Sequence, residues 1–178
     1  MVKLDEILDV KVLWEHLHAG NVSSRPHKEL PLAILNYTPQ CQYSRTWDDV
    51  TKKCRGLIWN YETGEVVARP FEKFYNWDES GSPFPPTGPA LRMPKMDGSL
   101  GILVALDYCN GVPTKELIST RGSMHSEQAE WATNFYLDAV VEMANTMPAQ
   151  LVFSPVEGKT YLFEIIYPEN RIVVDYGE

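Results

Sequence analysis

Lys95, Asp97 and Gly98 stand in the run Pro94-Lys95-Met96-Asp97-Gly98-Ser99-Leu100-Gly101, a lysine and a carboxylate on a stretch whose two glycines permit close approach of a ligand. A lysine amine becomes a nucleophile when burial or neighbouring positive charge lowers its pKa toward neutrality. The aspartate two residues on can hold a neighbouring group or join a charge network. The same residues also suit a plain surface turn, since Asp-Gly is a common turn dipeptide and lysine a common exposed residue. Glu164 is the second unusual position: it lies inside the apolar run Tyr161–Tyr167, where an ionised carboxylate is costly unless something pairs with it. Strand alternation puts it on one face with Leu162 and Ile166, which suggests a cleft-facing position.

The elements that must position these residues are β-rich. Leu32–Tyr37 reads as a strand stopped by Pro39. Gly56–Tyr61 and Glu65–Arg69 flank Glu62-Thr63-Gly64, a hairpin signal, and Gly101–Asp107 returns through Asn110-Gly111 into Lys115–Thr120 as a second hairpin. Ala132, Phe135, Tyr136, Ala139, Val140 and Met143 repeat at helical spacing behind Ser126, a suitable N-cap with Glu127 and Glu130 in the first turn. Residues 4–18 predict one helix or two short ones ended by Gly20-Asn21, and strands return at Tyr161–Tyr167 and Ile172–Asp175. The Pro- and Gly-rich segment 78–89 is a surface loop or linker. Hairpins around one long helix predict an α+β protein built on antiparallel sheets with flanking helices.

At 178 residues the chain can bury one sizeable core, so one domain, 1–178, is the expectation. Its apolar runs are far shorter than the roughly 20 residues a spanning helix needs, and the first residues do not read as a secretory signal. A cytoplasmic protein is expected. Cys41, Cys54 and Cys109 fit neither a disulfide framework nor a metal pair and read as buried or half-buried thiols. A net charge of −8 argues against general coating of nucleic acid, while leaving room for a local basic cleft. His16 and His18 sit on a predicted helix and make no metal pair. Trp47, Trp59, Trp77 and Trp131 read as core or sheet-face residues in preference to a base-stacking platform, with a place flanking the site as the alternative for Trp77, after the Lys73 segment.

Five segments in order carry a family resemblance. Lys95-Met96-Asp97-Gly98 resembles the K-x-D-G motif of ATP-dependent ligases and capping enzymes. Upstream, Cys54–Trp59 and Ala68–Asn76 resemble the R-G-hydrophobic strand and the R-P-F-x-K-F-x-N segment of bacteriophage-type RNA ligases. Downstream, Ser119–Ser123 and Tyr161–Val173 are similar to two later motifs of the same superfamily. The resemblance spans about residues 30–178 and is nearest to the RNA ligase 1 branch.

That resemblance implies a nucleotidyltransferase fold in which Lys95 attacks ATP, with Mg²⁺ or Mn²⁺, to form a lysyl-adenylate. The AMP then passes to an RNA 5′-phosphate for joining to a 3′-hydroxyl. It implies nucleotide or phosphate contacts for Arg55, Lys73, Lys95, Asp97, Gly98 and Arg121, since guanidinium and ammonium groups neutralise phosphate. Glu164 would hold ribose or metal-bound water; Asn170-Arg171 is a phosphate contact or a turn. Two further motifs, one around Glu-Gly and one around paired lysines, do not follow Glu164. The expectation is therefore a truncated domain with an open sheet edge, weak or absent lysine adenylation and no sealing by residues 1–178 alone. Two alternatives stand beside this reading: a DNA ligase or capping-type nucleotidyltransferase, and a non-catalytic nucleic-acid or partner-binding module that keeps the fold.

Overall fold

Short capped helices and two antiparallel sheets build the molecule, seen in a computed structural model that describes residues 2–76, 88, 89, 91, 93–167, 169 and 174. The N-terminal segment forms two helices, α1 (Leu4–Ile7) and α2 (Val10–His18). Asp9 breaks them apart because its carboxylate accepts from the backbone N–H groups of Lys11 and Val12, at 2.8 and 3.2 Å, and so opens a new helix. Leu4, Leu8 and Leu13 bury the inner face of this pair.

The first sheet runs β1 (Val22–Pro26), β2 (Leu32–Tyr37), β3 (Arg55–Asn60) and β4 (Val66–Ala68) in spatial order, all antiparallel. The β3–β4 hairpin forms as its sequence predicts, with Gly64 at φ +77° and Asn60 Oδ1 accepting from Glu62 and Thr63 N–H. Between β2 and β3 the chain makes two helices that hydrophobic periodicity does not reveal: α3 (Pro39–Ser44) and α4 (Asp49–Lys53). Pro39 stops the strand by starting a helix, at whose first turn its missing N–H costs nothing. Thr38 and Asp48 cap the two helices, and Thr51 completes a capping box with Asp48.

The second sheet has the order β6 (Lys115–Thr120), β5 (Ser99–Leu106), β7 (Tyr161–Ile165), again antiparallel. Helix α5 (Glu127–Thr146) packs on β6, and Ser126 Oγ accepts from Ala129 N–H at its start. Its buried strip is narrower than the predicted stripe: Ala129, Ala132 and Tyr136 are buried, whereas Phe135 is 64% exposed. Phe135 instead stacks on Trp131, which stacks in turn on Tyr167. The predicted strand at 172–175 lies outside the described residues except for Val174, as do Trp77, Asn170, Arg171 and most of 78–89.

The two sheets meet through one apolar layer. Leu32, Ile34, Ile58 and Ala68 from the first pack with Ile102 and Val104 from the second, each removed almost entirely from water. Burial of side chains this size stabilises by about 1.5–3 kcal/mol apiece, before the entropic cost of ordering them. Cys41 and Cys54 are buried as expected, and burial first of all pushes the Cys54 thiol up to about 12, which keeps it protonated. Cys109 departs from the expectation and is exposed, because it sits in the β5–β6 turn, where Asn110 and Gly111 both adopt positive φ. Among the described residues no helix is long and apolar enough to cross a membrane.

Candidate functional site

A bulge in the first sheet starts the site. The pairing of β2 with β3 passes from Leu35↔Leu57 to Asn36↔Arg55, so Gly56 is an extra residue between two rungs. Its φ is +86°, and a Cβ there would lie 2.7 Å from Ile102 Cδ1 and 3.3 Å from the Arg121 carbonyl oxygen. Glycine therefore both turns the strand and lets the second sheet close against it. Arg55, next to the bulge, donates from Nη1 to the Phe71 carbonyl at 3.3 Å and lies 4.8 Å from the Phe74 ring centroid.

Arg121 reaches the same place from the end of β6. Its Nη1 donates to Tyr37 Oη at 3.0 Å, and its guanidinium lies 5.1 Å from the centre of that ring. The turn behind it is closed by Thr120 N–H donating to the Ser123 carbonyl at 2.9 Å, which also accepts from Ser119 Oγ. Tyr37 is held edge-on by Trp47, with ring centroids 5.0 Å apart.

The segment entering β5 brings the lysine. Lys95 is exposed at the cleft, and three residues on Gly98 passes so close to β7 that a Cβ would meet the Ile165 carbonyl oxygen at 2.5 Å and Glu164 Cγ at 3.0 Å. On β7, Glu164 pairs across from Leu100 and shares the cleft wall with Leu162, while Ile165 is buried on the α5 side.

Together these residues enclose a cleft of about 900 Å³ between the sheets. Of the seven residues singled out in the sequence, Arg55, Lys95, Gly98, Arg121 and Glu164 line it. Lys73 and Asp97 do not. Lys73 Nζ donates to the Phe74 carbonyl at 2.6 Å and lies 4.2 Å from the Tyr75 ring centroid and 5.6 Å from that of Trp47. The Asp97 carboxylate accepts from Val174 N–H at 2.8 Å. It therefore bonds to backbone far along the chain from its own loop.

Sequence reasoning missed Asn36, Phe71 and Phe74 on the cleft wall. Asn36 could have been found, because it is the one amide in the otherwise apolar strand Leu32–Tyr37. Its Oδ1 is buried without a hydrogen-bond partner.

His16 is engaged structurally: its Nε2 lies 2.6 Å from Asp48 Oδ2 and its Nδ1 lies 3.2 Å from Asn21 Nδ2. A second cavity of about 740 Å³, under α1 and α2, is walled by Leu13, Trp14, Leu17 and Trp59 and offers apolar surface instead of paired cations.

The cleft suits a polyanion. Two guanidinium groups and one ammonium group converge, and glycine allows backbone approach at the lysine-bearing segment. For a divalent cation the donor set is thin: among the described residues no group of three or more His, Cys, Asp or Glu could hold one. Magnesium is commonly held by one or two carboxylates together with substrate phosphates and water, and Glu164 fits the carboxylate of such a set.

Two arginines, an exposed lysine and a glutamate thus line one cleft. A family model described as RNA ligase matches residues 53–178, and the chain belongs to that family, the bacteriophage-type RNA ligases. The chain is also 29% identical over 174 residues to a protein of Autographa californica nuclear polyhedrosis virus provisionally named a bifunctional polynucleotide kinase/RNA ligase. That match takes in 88% of the chain and 24% of the viral protein, so the chain spans about a quarter of its relative's length.

Proposed function

We propose that the chain carries out the adenylation chemistry of an ATP-dependent RNA ligase, with Lys95 as the nucleophile. The observation that carries this reading is the meeting of Lys95, Arg55, Arg121 and Glu164 around one cleft in a member of the RNA ligase family. In the proposed step the Lys95 Nζ lone pair attacks the α-phosphorus of ATP. A nitrogen–phosphorus bond forms, the α–β phosphoanhydride bond breaks, and pyrophosphate leaves with the electron pair. The amine's proton passes to solvent or to a departing phosphate oxygen.

Arg55 and Arg121 would hold phosphate oxygens in line, and their prior attachment to Phe71 and Tyr37 reduces the ordering needed on binding. Glu164 would take a ribose hydroxyl or a water of a magnesium ion carried by the nucleotide, which when bound supplies charge neutralisation at the phosphates. Transfer of AMP to an RNA 5′-phosphate, and its displacement by a 3′-hydroxyl, would follow in the same cleft. The non-catalytic alternative binds ATP without labelling Lys95, and a capping-type enzyme prefers GTP.

Incubation with α-labelled ATP and Mg²⁺, denaturing electrophoresis and peptide mapping test the proposal. The expected result is acid-labile AMP on Lys95, even at low stoichiometry, and none in Lys95→Ala, whose fold is unchanged because an exposed lysine has little packing role. Label elsewhere, or equal label in Lys95→Ala, overturns it.

A further inference from the structure

The contacts that hold both arginines of the cleft trace back to one side chain. Trp47 lies in the loop between α3 and α4 and is half-buried, yet it neither lines the cleft nor joins the apolar clusters that the described residues form in the core. We propose that Trp47 is a positioning residue, a single indole that braces Arg55 and Arg121 from behind so that they stand ready for phosphate. The inference rests on the reading of the cleft as the nucleotide site.

The loop gives Trp47 a fixed base. The Thr46 carbonyl accepts from Cys41 Sγ at 3.1 Å and from Thr51 Oγ1 at 3.0 Å, and both donors belong to fully buried residues. Trp47 N–H donates to the Arg45 carbonyl at 2.8 Å, and the next residue, Asp48, caps α4. A ring carried on backbone held this way is itself placed, which a brace requires.

From that base two routes lead to the cleft. Tyr37 is buried and meets Trp47 with ring planes at 89°, and the hydroxyl and face of Tyr37 are the contacts that Arg121 uses. The other route runs through Lys73, whose Nζ lies 5.6 Å from the Trp47 ring centroid and 4.2 Å from that of Tyr75. Lys73 N–H donates to the Lys52 carbonyl on α4 at 2.9 Å, so the residue is held at backbone and ammonium alike. On either side of it in the chain stand Phe71 and Phe74, whose carbonyl and ring are the contacts of Arg55. Lys73 then serves the site through Arg55 instead of from the cleft lining. An indole suits both routes, because ring edges and faces carry opposite partial charge and its face attracts cations most strongly among aromatic side chains.

Isothermal titration calorimetry tests the proposal, with an ATP analogue whose α–β bridging oxygen is replaced by methylene so that no transfer occurs. Trp47→Ala should raise its Kd about five- to a hundredfold, since two long side chains that the parent holds in place must then be ordered on binding. Trp47→Phe, which keeps a ring for both routes, should recover most of the loss. In Arg55→Ala or Arg121→Ala one route has nothing left to hold, so the fold-change caused by Trp47→Ala should shrink to roughly its square root. A tryptophan that only stabilised the fold would cost the same in every background.

Thermal melts establish that each variant is folded. Trp47→Leu, which keeps apolar bulk and offers no ring, carries the same expectation as Trp47→Ala and replaces it if the alanine variant does not fold. A Kd within about twofold of the parent's in these variants, or an equal fold-change in every background, overturns the inference. Labelling of Lys95 by ATP is read separately. Label on Lys95 with analogue binding indifferent to Trp47 refutes this inference alone, whereas Trp47-dependent binding without label refutes the nucleophile reading alone. A parent chain that binds no analogue overturns both.

Discussion

The inner wall of the cleft and its mouth are built on opposite plans. On the inner wall Arg55 and Arg121 are tied to the Phe71 carbonyl and the Tyr37 hydroxyl, each resting against an aromatic ring. At the mouth Lys95 and Glu164 are exposed and make no hydrogen bond or ion pair among the described residues. Groups that only bind gain from being fixed beforehand, because less entropy is lost when ligand arrives. A group that must form and release a bond gains from having no partner to leave. On the proposed reading, the wall positions the nucleotide and Lys95 at the mouth forms the bond.

The sharpest way to break that division is to move the mouth without touching a polar group. Gly98→Ala places a Cβ within 2.5 Å of the Ile165 carbonyl oxygen, a backbone atom that cannot swing aside. The segment carrying Lys95 must then shift from β7, and displacement of a reacting group by about 1 Å costs on the order of a hundredfold in rate. Stability should fall by about 1–3 kcal/mol, the usual cost of overpacking. Lys95 labelling and a denaturant melt on the same variant check both. Near-normal labelling would mean that this close approach does not set the lysine's position.

Changes on the inner wall should have a smaller effect and leave chemistry possible. Arg55→Ala or Arg121→Ala should each lower kcat/KM for ATP in labelling by about 1.5–3 kcal/mol, the range for hydrogen bonds to charged groups. Tyr37→Phe keeps the ring beneath Arg121 but removes its tether, and should cost about 0.5–1.5 kcal/mol in the same assay. Lys73→Ala should cost less than Arg55→Ala, because Lys73 is engaged with Phe74, Tyr75 and Trp47 outside the cleft lining. A larger loss at Lys73 than at Arg55 would reverse the ranking that the geometry gives.

How far this was legible from the sequence differs between the same two regions. The hairpins, the long helix and the strand Leu32–Tyr37 follow period and turn residues that act locally, and they stand where periodicity puts them. Ordered motifs single out Lys95, Arg55 and Arg121. Their convergence is not legible, because it depends on the Gly56 bulge and on contact between two sheets far apart in sequence. Helices α3 and α4 were hidden because each is less than two turns long and held by caps, not by an apolar stripe. Phe135 illustrates the converse: period placed it at a buried face, and stacking on Trp131 took it elsewhere.

The smallest expected effect tests how the wall is braced from behind. The end of β1 and the β1–β2 turn are clipped to the 121–126 loop by Arg25 Nη1 donating to the Gly122 carbonyl at 3.2 Å and by Lys28 N–H donating to His125 Nε2 at 3.2 Å. The His27 ring lies tilted against that of His125 with centroids 4.2 Å apart, and its Nδ1 accepts from the N–H groups of Glu29 and Leu30. Burial, then the facing His125, holds the His27 pKa below 6.5; Lys28 pushes the same way and Glu29 opposes. Because the folded value is the lower one, the unfolded chain takes the proton first as pH falls past about 6.5. The contribution of this clip is therefore complete above that pH and is lost progressively below it. The melting temperature should drop between pH 7.5 and 5.5. His27→Asn puts an amide oxygen near the position of Nδ1, keeps an acceptor for the turn and removes the titration. Its melting temperature should vary less over the same range, measured by calorimetry in matched buffers. An equally steep pH dependence in His27→Asn would take the brace out of this account and leave Arg121 held by Tyr37 alone.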